Sequence, residues 1–229
     1  MAEPLVLLPD FMTDAGLFAP QVAALGRDRP VMVAPLTPGE GVEAVAAALL
    51  PLLPRQFALA GAGLGGAVAL DLLARAPDRV QRIALIAATP LAQSPAQAAA
   101  QEARIVAARA GRLAEALAED HAPADAALAG QLAAMAAALG PEAFVRQTRM
   151  QQRRPDQQAA LRRIRQPALV LCGALDPVLP VRRHEHTAAM IPFAELRVIE
   201  GAGRWPTLQA PDAVTAALGH WLRQPLILR

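Results

Sequence analysis

The stretch "RQFALAGAGLGGAVALDLLARAPDRV" (residues 55–80) decides how the chain is read. Phe57 to Ala60 form an apolar run of the length of a buried strand. It ends in "GAGLGG", Gly61 to Gly66, and passes directly into a long apolar segment with helical character that closes near Pro77. Strand, glycine-rich turn and helix in that order have two chemical readings. One is the sharp turn that displays a nucleophilic serine, G-x-S-x-G. The other is the dinucleotide cradle G-x-G-x-x-G, matched by Gly61, Gly63 and Gly66. Glycine at 63 leaves the first reading without its nucleophile.

Outward from this stretch, apolar strands alternate with helices. "LVLLP" (5–9), "PVMVAP" (30–35), the strand at 57, "RIALIAATP" (82–90), "PALVLCGALD" (167–176) and "ELRVIEG" (195–201) read as strands. Their continuous hydrophobicity argues for a parallel sheet covered on both faces. Between Leu91 and Arg165 the texture changes to alanine-rich helical patterns at 96–119, 124–139 and 142–164, separated by Pro123 and by Gly140–Pro141. This segment is too apolar for a disordered linker. The expected organisation is a core of residues 1–90 and 166–229 with a helical lid insertion at 91–165.

Composition narrows the function classes. The 229 residues are 54% hydrophobic, enough for one α/β domain with a sizeable core. Lysine, asparagine and tyrosine are absent and Ser94 is the only serine, which points to a biased base composition. The pI near 9.8 overstates basicity, because the formal net charge is only +2. Without lysine or tyrosine little titrates between neutrality and the arginine range. Aromatic residues are 3%, and the densest arginine cluster (Arg153, Arg154, Arg162, Arg163, Arg165) alternates with Gln and Asp. It reads as a solvated helix face, so no nucleic-acid partner is expected. Pro51 and Pro54 break the longest apolar run, and the N-terminus lacks a basic signal-peptide region. One cysteine, Cys172, excludes an intramolecular disulfide. A cytoplasmic protein without a membrane partner is the expectation.

The order of elements resembles the small bacterial α/β-hydrolases over essentially the whole chain. "LVLLPDFMTDAGLFAPQVAAL" is similar to the family's oxyanion loop, and "FALAGAGLGGAVALDLLARAPDRVQRIALIAATP" to its nucleophile turn and following strand. "PALVLCGALDPVLP" is similar to its acid-bearing strand, and "ELRVIEGAGRWPTLQAPDAV" to the segment that carries the triad histidine. The resemblance implies an α/β-hydrolase fold: a mainly parallel sheet of about six strands, helices on both faces and a helical lid. Carried over by position, it puts the nucleophile at Gly63, the base at Arg204 and the acid at Asp176. The backbone N–H groups of Phe11 and Leu64 fall where the oxyanion hole is built. Asp10 stands where the family usually has glycine.

These substitutions bear on the chemistry. Acyl transfer by the usual triad needs a hydroxyl, an imidazole that takes its proton and an acid that orients the imidazole. Glycine has no atom to attack with, and arginine stays protonated, so it is no general base. Losing the serine of such a triad costs about 10⁶ in kcat in a serine protease. Other candidates read as structural: Ser94 as a helix cap, Cys172 as a buried strand residue, His184 and His186 as solvated helix residues too poorly aligned for a metal. Arg204 is placed against Asp176, with a second reading in which it faces the pocket. Asp10 reads either as a turn residue satisfying nearby N–H groups or as a general base.

The preferred expectation is a non-hydrolytic pseudo-hydrolase that binds a small apolar molecule between sheet and lid. One alternative is a lyase- or isomerase-like enzyme with Asp10 as base and Arg204 as clamp. The other is dinucleotide binding through Gly61, Gly63 and Gly66, against which stands the lack of an acid at the end of the next strand. No cofactor and no metal are expected; the partner is a small-molecule ligand.

Overall fold

The computed structural model describes residues 2–37, 39–121 and 125–226. Six strands form one sheet: β1 (Leu5–Leu8), β2 (Val31–Val33), β3 (Phe57–Ala62), β4 (Val80–Ile86), β5 (Ala168–Gly173) and β6 (Ala194–Ile199). Their spatial order is β2-β1-β3-β4-β5-β6. Every pairing is parallel. Residues of β1 alternate between two apolar cores, Val6 and Leu8 on one side of the sheet, Leu5 and Leu7 on the other, and all four are inaccessible to solvent. A sheet buried on both faces produces the unbroken apolar runs read from the sequence.

Helices α1 (Ala19–Leu25), α2 (Val42–Leu49) and α3 (Leu64–Arg75) belong to the N-terminal half of the chain. Between β4 and β5 come α4 (Pro95–Arg109), α5 (Leu113–His121), α6 (Ala126–Arg153) and α7 (Gln158–Leu161). The chain closes with α8 (Val181–Ala189), α9 (Pro206–Gln209) and α10 (Pro211–Arg223). α2 and α3 cover one face, while α10, through Leu218 and Trp221, covers the other. Trp221 is fully buried, and its indole N–H donates to the Pro167 carbonyl at 3.1 Å.

The helices after β4 have their own small core around Ile105, Leu117 and Phe144. Ser94 caps α4 in a reciprocal capping box with Gln97. The single helix expected at 96–119 is two helices, because Gly111 takes φ 79° and ends α4. The expected division at Gly140–Pro141 is a kink inside α6, with Gly140 at φ 79° and ψ 174°. The expected break at Pro123 lies outside the described residues. α6 stops at Arg153, well short of the expected 164, since Pro155 excludes Arg154 from helical geometry. Among the described residues α6 alone is long and apolar enough to cross a membrane. It is kinked, however, and buries Leu132, Phe144 and Met150 against the rest of the chain.

His184, expected to be solvated, is fully buried on α8. Neither ring nitrogen makes a well-formed hydrogen bond among the described residues, although the Pro180 backbone faces the ring. Burial pushes its pKa down, with Asp176 and the Pro180 backbone pulling the other way. As pH falls through about 6.5, unfolded chains therefore take up a proton that the native protein refuses, and stability drops. His184→Leu is expected to flatten the loss of stability as pH falls below about 6.5 in urea titrations. An unchanged slope would show that this imidazole does not govern it.

Candidate active site

The sheet changes direction between β1 and β3, and the loops after these two strands meet at its C-terminal edge. This is where open α/β sheets bind ligands. From β3 the chain turns at Gly63, with φ 46° and ψ −111°, and enters α3 at Leu64. Gly63 donates to the Ile86 carbonyl at 2.9 Å, which ties the turn to β4. A Cβ on Gly65 would lie 2.4 Å from the carbonyl oxygens of Leu8 and Pro9, so its lack of a side chain lets the β1 loop reach the turn.

That contact brings in Asp10. Its Oδ1 accepts from the backbone N–H groups of Phe11 and Leu64, both at 2.7 Å. The two donors assigned to the oxyanion hole by resemblance thus converge on a single oxygen, and that oxygen belongs to the protein. A Cβ built on Gly63 would fall 1.8 Å from Asp10 Oδ1. The carboxylate occupies the space a side chain at position 63 would take.

Arg204 completes the cluster. Its Nη2 donates to Asp10 Oδ2 at 3.1 Å, and its Nη1 donates to the Ala87 carbonyl at 3.3 Å. Asp176 Oδ2 lies 3.8 Å from Nη1, an ion pair without a hydrogen bond. Arg204 therefore serves two carboxylates, and Asp10 is the nearer. Asp176 Oδ1 is held by the N–H groups of Val178 and Leu179 at 2.8 and 3.0 Å. The loop carrying Arg204 is fixed from both sides, because Gly203 and Trp205 each donate a backbone N–H to Gln209 Oε1, at 2.9 and 3.1 Å. The helical insertion holds the Asp10 loop from above: Gln147 Oε1 accepts from Met12 N–H at 2.7 Å, with Met12 at φ 51°.

The cluster forms the floor of a cleft of about 520 Å³. Arg104, Arg154 and Arg183 line it with Arg204, as do Gln93, Gln97, Gln101 and Gln151. This wall is polar, unlike the apolar ligand site expected. Arg154, read from the sequence as part of a solvated face, borders the cleft instead. Cys172 is buried in β5, and burial raises its thiol to about 11, so it stays protonated and offers no nucleophile. Among the described residues no group of three His, Cys, Asp or Glu side chains could hold a metal ion.

Residues 5–217 match the family model described as the alpha/beta hydrolase family. The chain belongs to the alpha/beta hydrolase family. A pimeloyl-[acyl-carrier protein] methyl ester esterase from Aromatoleum aromaticum is 31% identical over 199 residues, covering 77% of this chain and 78% of that protein. A thermophilic esterase from Thermogutta terrifontis superimposes with a TM-score of 0.87 at 24% identity, over 97% of this chain and 90% of that one. A hydrolase from Pseudomonas aeruginosa PA01 does so with a TM-score of 0.78 at 25% identity, over 97% and 91%. These relatives overturn the expectation of a non-hydrolytic binding protein and the lyase, isomerase and dinucleotide alternatives beside it: they are named as an esterase and a hydrolase, and they point to a hydrolase. The dinucleotide reading also fails locally. The turn at Gly63 already holds a carboxylate on its Leu64 N–H, and a pyrophosphate there would meet that negative charge.

Proposed function

We propose that the chain hydrolyses small carboxylic esters or lactones by direct attack of water, with Asp10 as general base and Arg204 as electrophile. One observation carries this reading: the Asp10 carboxylate stands in the space vacated at Gly63, tied to two backbone donors and to Arg204. The esterase relative supports an ester as substrate.

An ionised carboxylate has about four acceptor positions. Two N–H groups occupy Oδ1 and one guanidinium donor occupies Oδ2. The remaining position on Oδ2 is open to a water in the cleft. Asp10 takes a proton from this water as its oxygen attacks the carbonyl carbon. Because Asp10 fills the backbone oxyanion cradle, the charge developing on the carbonyl oxygen falls to Arg204, which has donors beyond those given to Asp10 and Ala87. The proton on Asp10 then passes to the departing alkoxide as the ester C–O bond breaks. Asp176 holds Arg204 in place from its other side.

This route has no acyl-enzyme. Stopped-flow hydrolysis of p-nitrophenyl acetate is expected to give linear product release without a burst, and a fluorophosphonate probe is expected to leave the protein unlabelled. Turnover with a stoichiometric burst, or labelling of the wild-type chain, would replace this reading with a covalent one.

A further inference from the structure

Four arginines line the cleft. Arg104 pairs with Asp120 and Arg204 with Asp10 and Asp176, while Arg183 is exposed to solvent. Arg154, the first residue past α6, lines the cleft and is partly withdrawn from solvent. Its Nε is buried with no partner, and among the described residues its guanidinium makes no hydrogen bond or ion pair. Burial pulls its pKa below the usual guanidinium range; the attraction of Asp10 opposes this, and the repulsion of Arg204 adds to it. For a partly desolvated cation whose attracting carboxylate, Asp10, is already engaged by Arg204 and two backbone donors, a further counter-charge is stabilising.

We propose that Arg154 is the docking point for a free carboxylate on the substrate, so that the protein acts on half-esters of dicarboxylic acids or on lactones bearing a carboxylate. The inference deepens the hydrolase reading and rests on it for the ester group. A guanidinium matches a carboxylate with two parallel N–H···O bonds. A single negative charge is favoured over two, because Asp10 lines the same cleft and repels a dianion such as a phosphate monoester. With the carboxylate on Arg154, the ester carbonyl is left to meet Asp10 and Arg204, which line the same cleft.

The test compares monomethyl glutarate with dimethyl glutarate, two substrates that differ by one charge. Wild-type protein is expected to prefer the half-ester in kcat/KM by about 10- to 100-fold, the range of a charge-assisted contact. Arg154→Gln is expected to bring the ratio near one, largely through KM, while Arg154→Lys keeps part of it. Calorimetry with butyrate, a monoanion without an ester, reads the same site without catalysis: binding is expected for wild type and at least tenfold weaker for Arg154→Gln, about one factor of ten per 1.4 kcal/mol. Hydrolysis of both esters at equal efficiency overturns the inference and leaves the hydrolase reading standing. Butyrate binding that depends on Arg154, with neither ester turned over, does the reverse. A preference that survives Arg154→Gln, or inorganic phosphate binding as tightly as butyrate, overturns the carboxylate assignment.

Discussion

Asp10→Asn is expected to lower kcat/KM for ester hydrolysis by about 10²- to 10⁴-fold, the usual contribution of a positioned general base. The substitution is nearly isosteric. The amide oxygen can still accept from the N–H groups of Phe11 and Leu64, which lie 2.7 Å from Oδ1 in the native protein. What is lost is the charge that faces Arg204 at 3.1 Å and that the proposed mechanism uses to take the water's proton. The fold should survive, and circular dichroism with a urea titration would establish that before rates are compared. Activity retained within a few-fold of wild type would remove Asp10 from the chemistry and return it to the role of a turn residue.

The second large effect is on stability. Gly63→Ala is expected to destabilise the protein by about 3–5 kcal/mol, from two sources. A residue with a Cβ at φ 46° costs about 1–2 kcal/mol. The new methyl would also sit 1.8 Å from Asp10 Oδ1, so the carboxylate must leave its donors. Each buried N–H left unpaired costs about 1–3 kcal/mol. For a chain of this size the sum corresponds to a fall in Tm of about 10 °C. Asp10→Gly removes the obstacle, so the double variant should be more stable than the two single effects added together, with a coupling of about 1–3 kcal/mol. Strict additivity would mean that the side chain at 10 does not occupy the turn.

The parallel sheet was legible because strands buried on both faces must be apolar throughout, as Leu5–Leu8 and Phe57–Ala62 are. The turn at Gly63 was legible because close approach between β1, β3 and α3 demands glycine at fixed places. The identity of Arg204's partner was not. Asp10 and Arg204 are 194 residues apart, and spacing along the chain does not say which of two carboxylates a guanidinium meets first. Position by resemblance favoured Asp176, whereas the missing side chain at 63 leaves room for Asp10 to come nearer. Arg154 was misread because polar neighbours suggested a solvated face. Whether the first residue beyond a helix meets solvent or a cleft depends on where that helix ends, and α6 bends at Gly140 before it gets there. His184 had a usable signal that was passed over. With Thr187 and Ile191 it forms an i, i+3, i+7 stripe, and all three are buried. The glutamines at 147 and 209, which hold backbone N–H groups of the Asp10 and Arg204 loops, carry no such mark in the sequence.

In the proposed mechanism water, activated by the carboxylate standing in for a side chain at position 63, attacks the substrate directly. Single-turnover hydrolysis of p-nitrophenyl acetate in oxygen-18 water, followed by mass spectrometry of the acetate and of the peptide containing Asp10, tests it. The expected result is acetate carrying one heavy oxygen and an Asp10 peptide carrying none. Heavy oxygen in the Asp10 carboxylate, an acetylated side chain anywhere in the chain, or no turnover at all would contradict it.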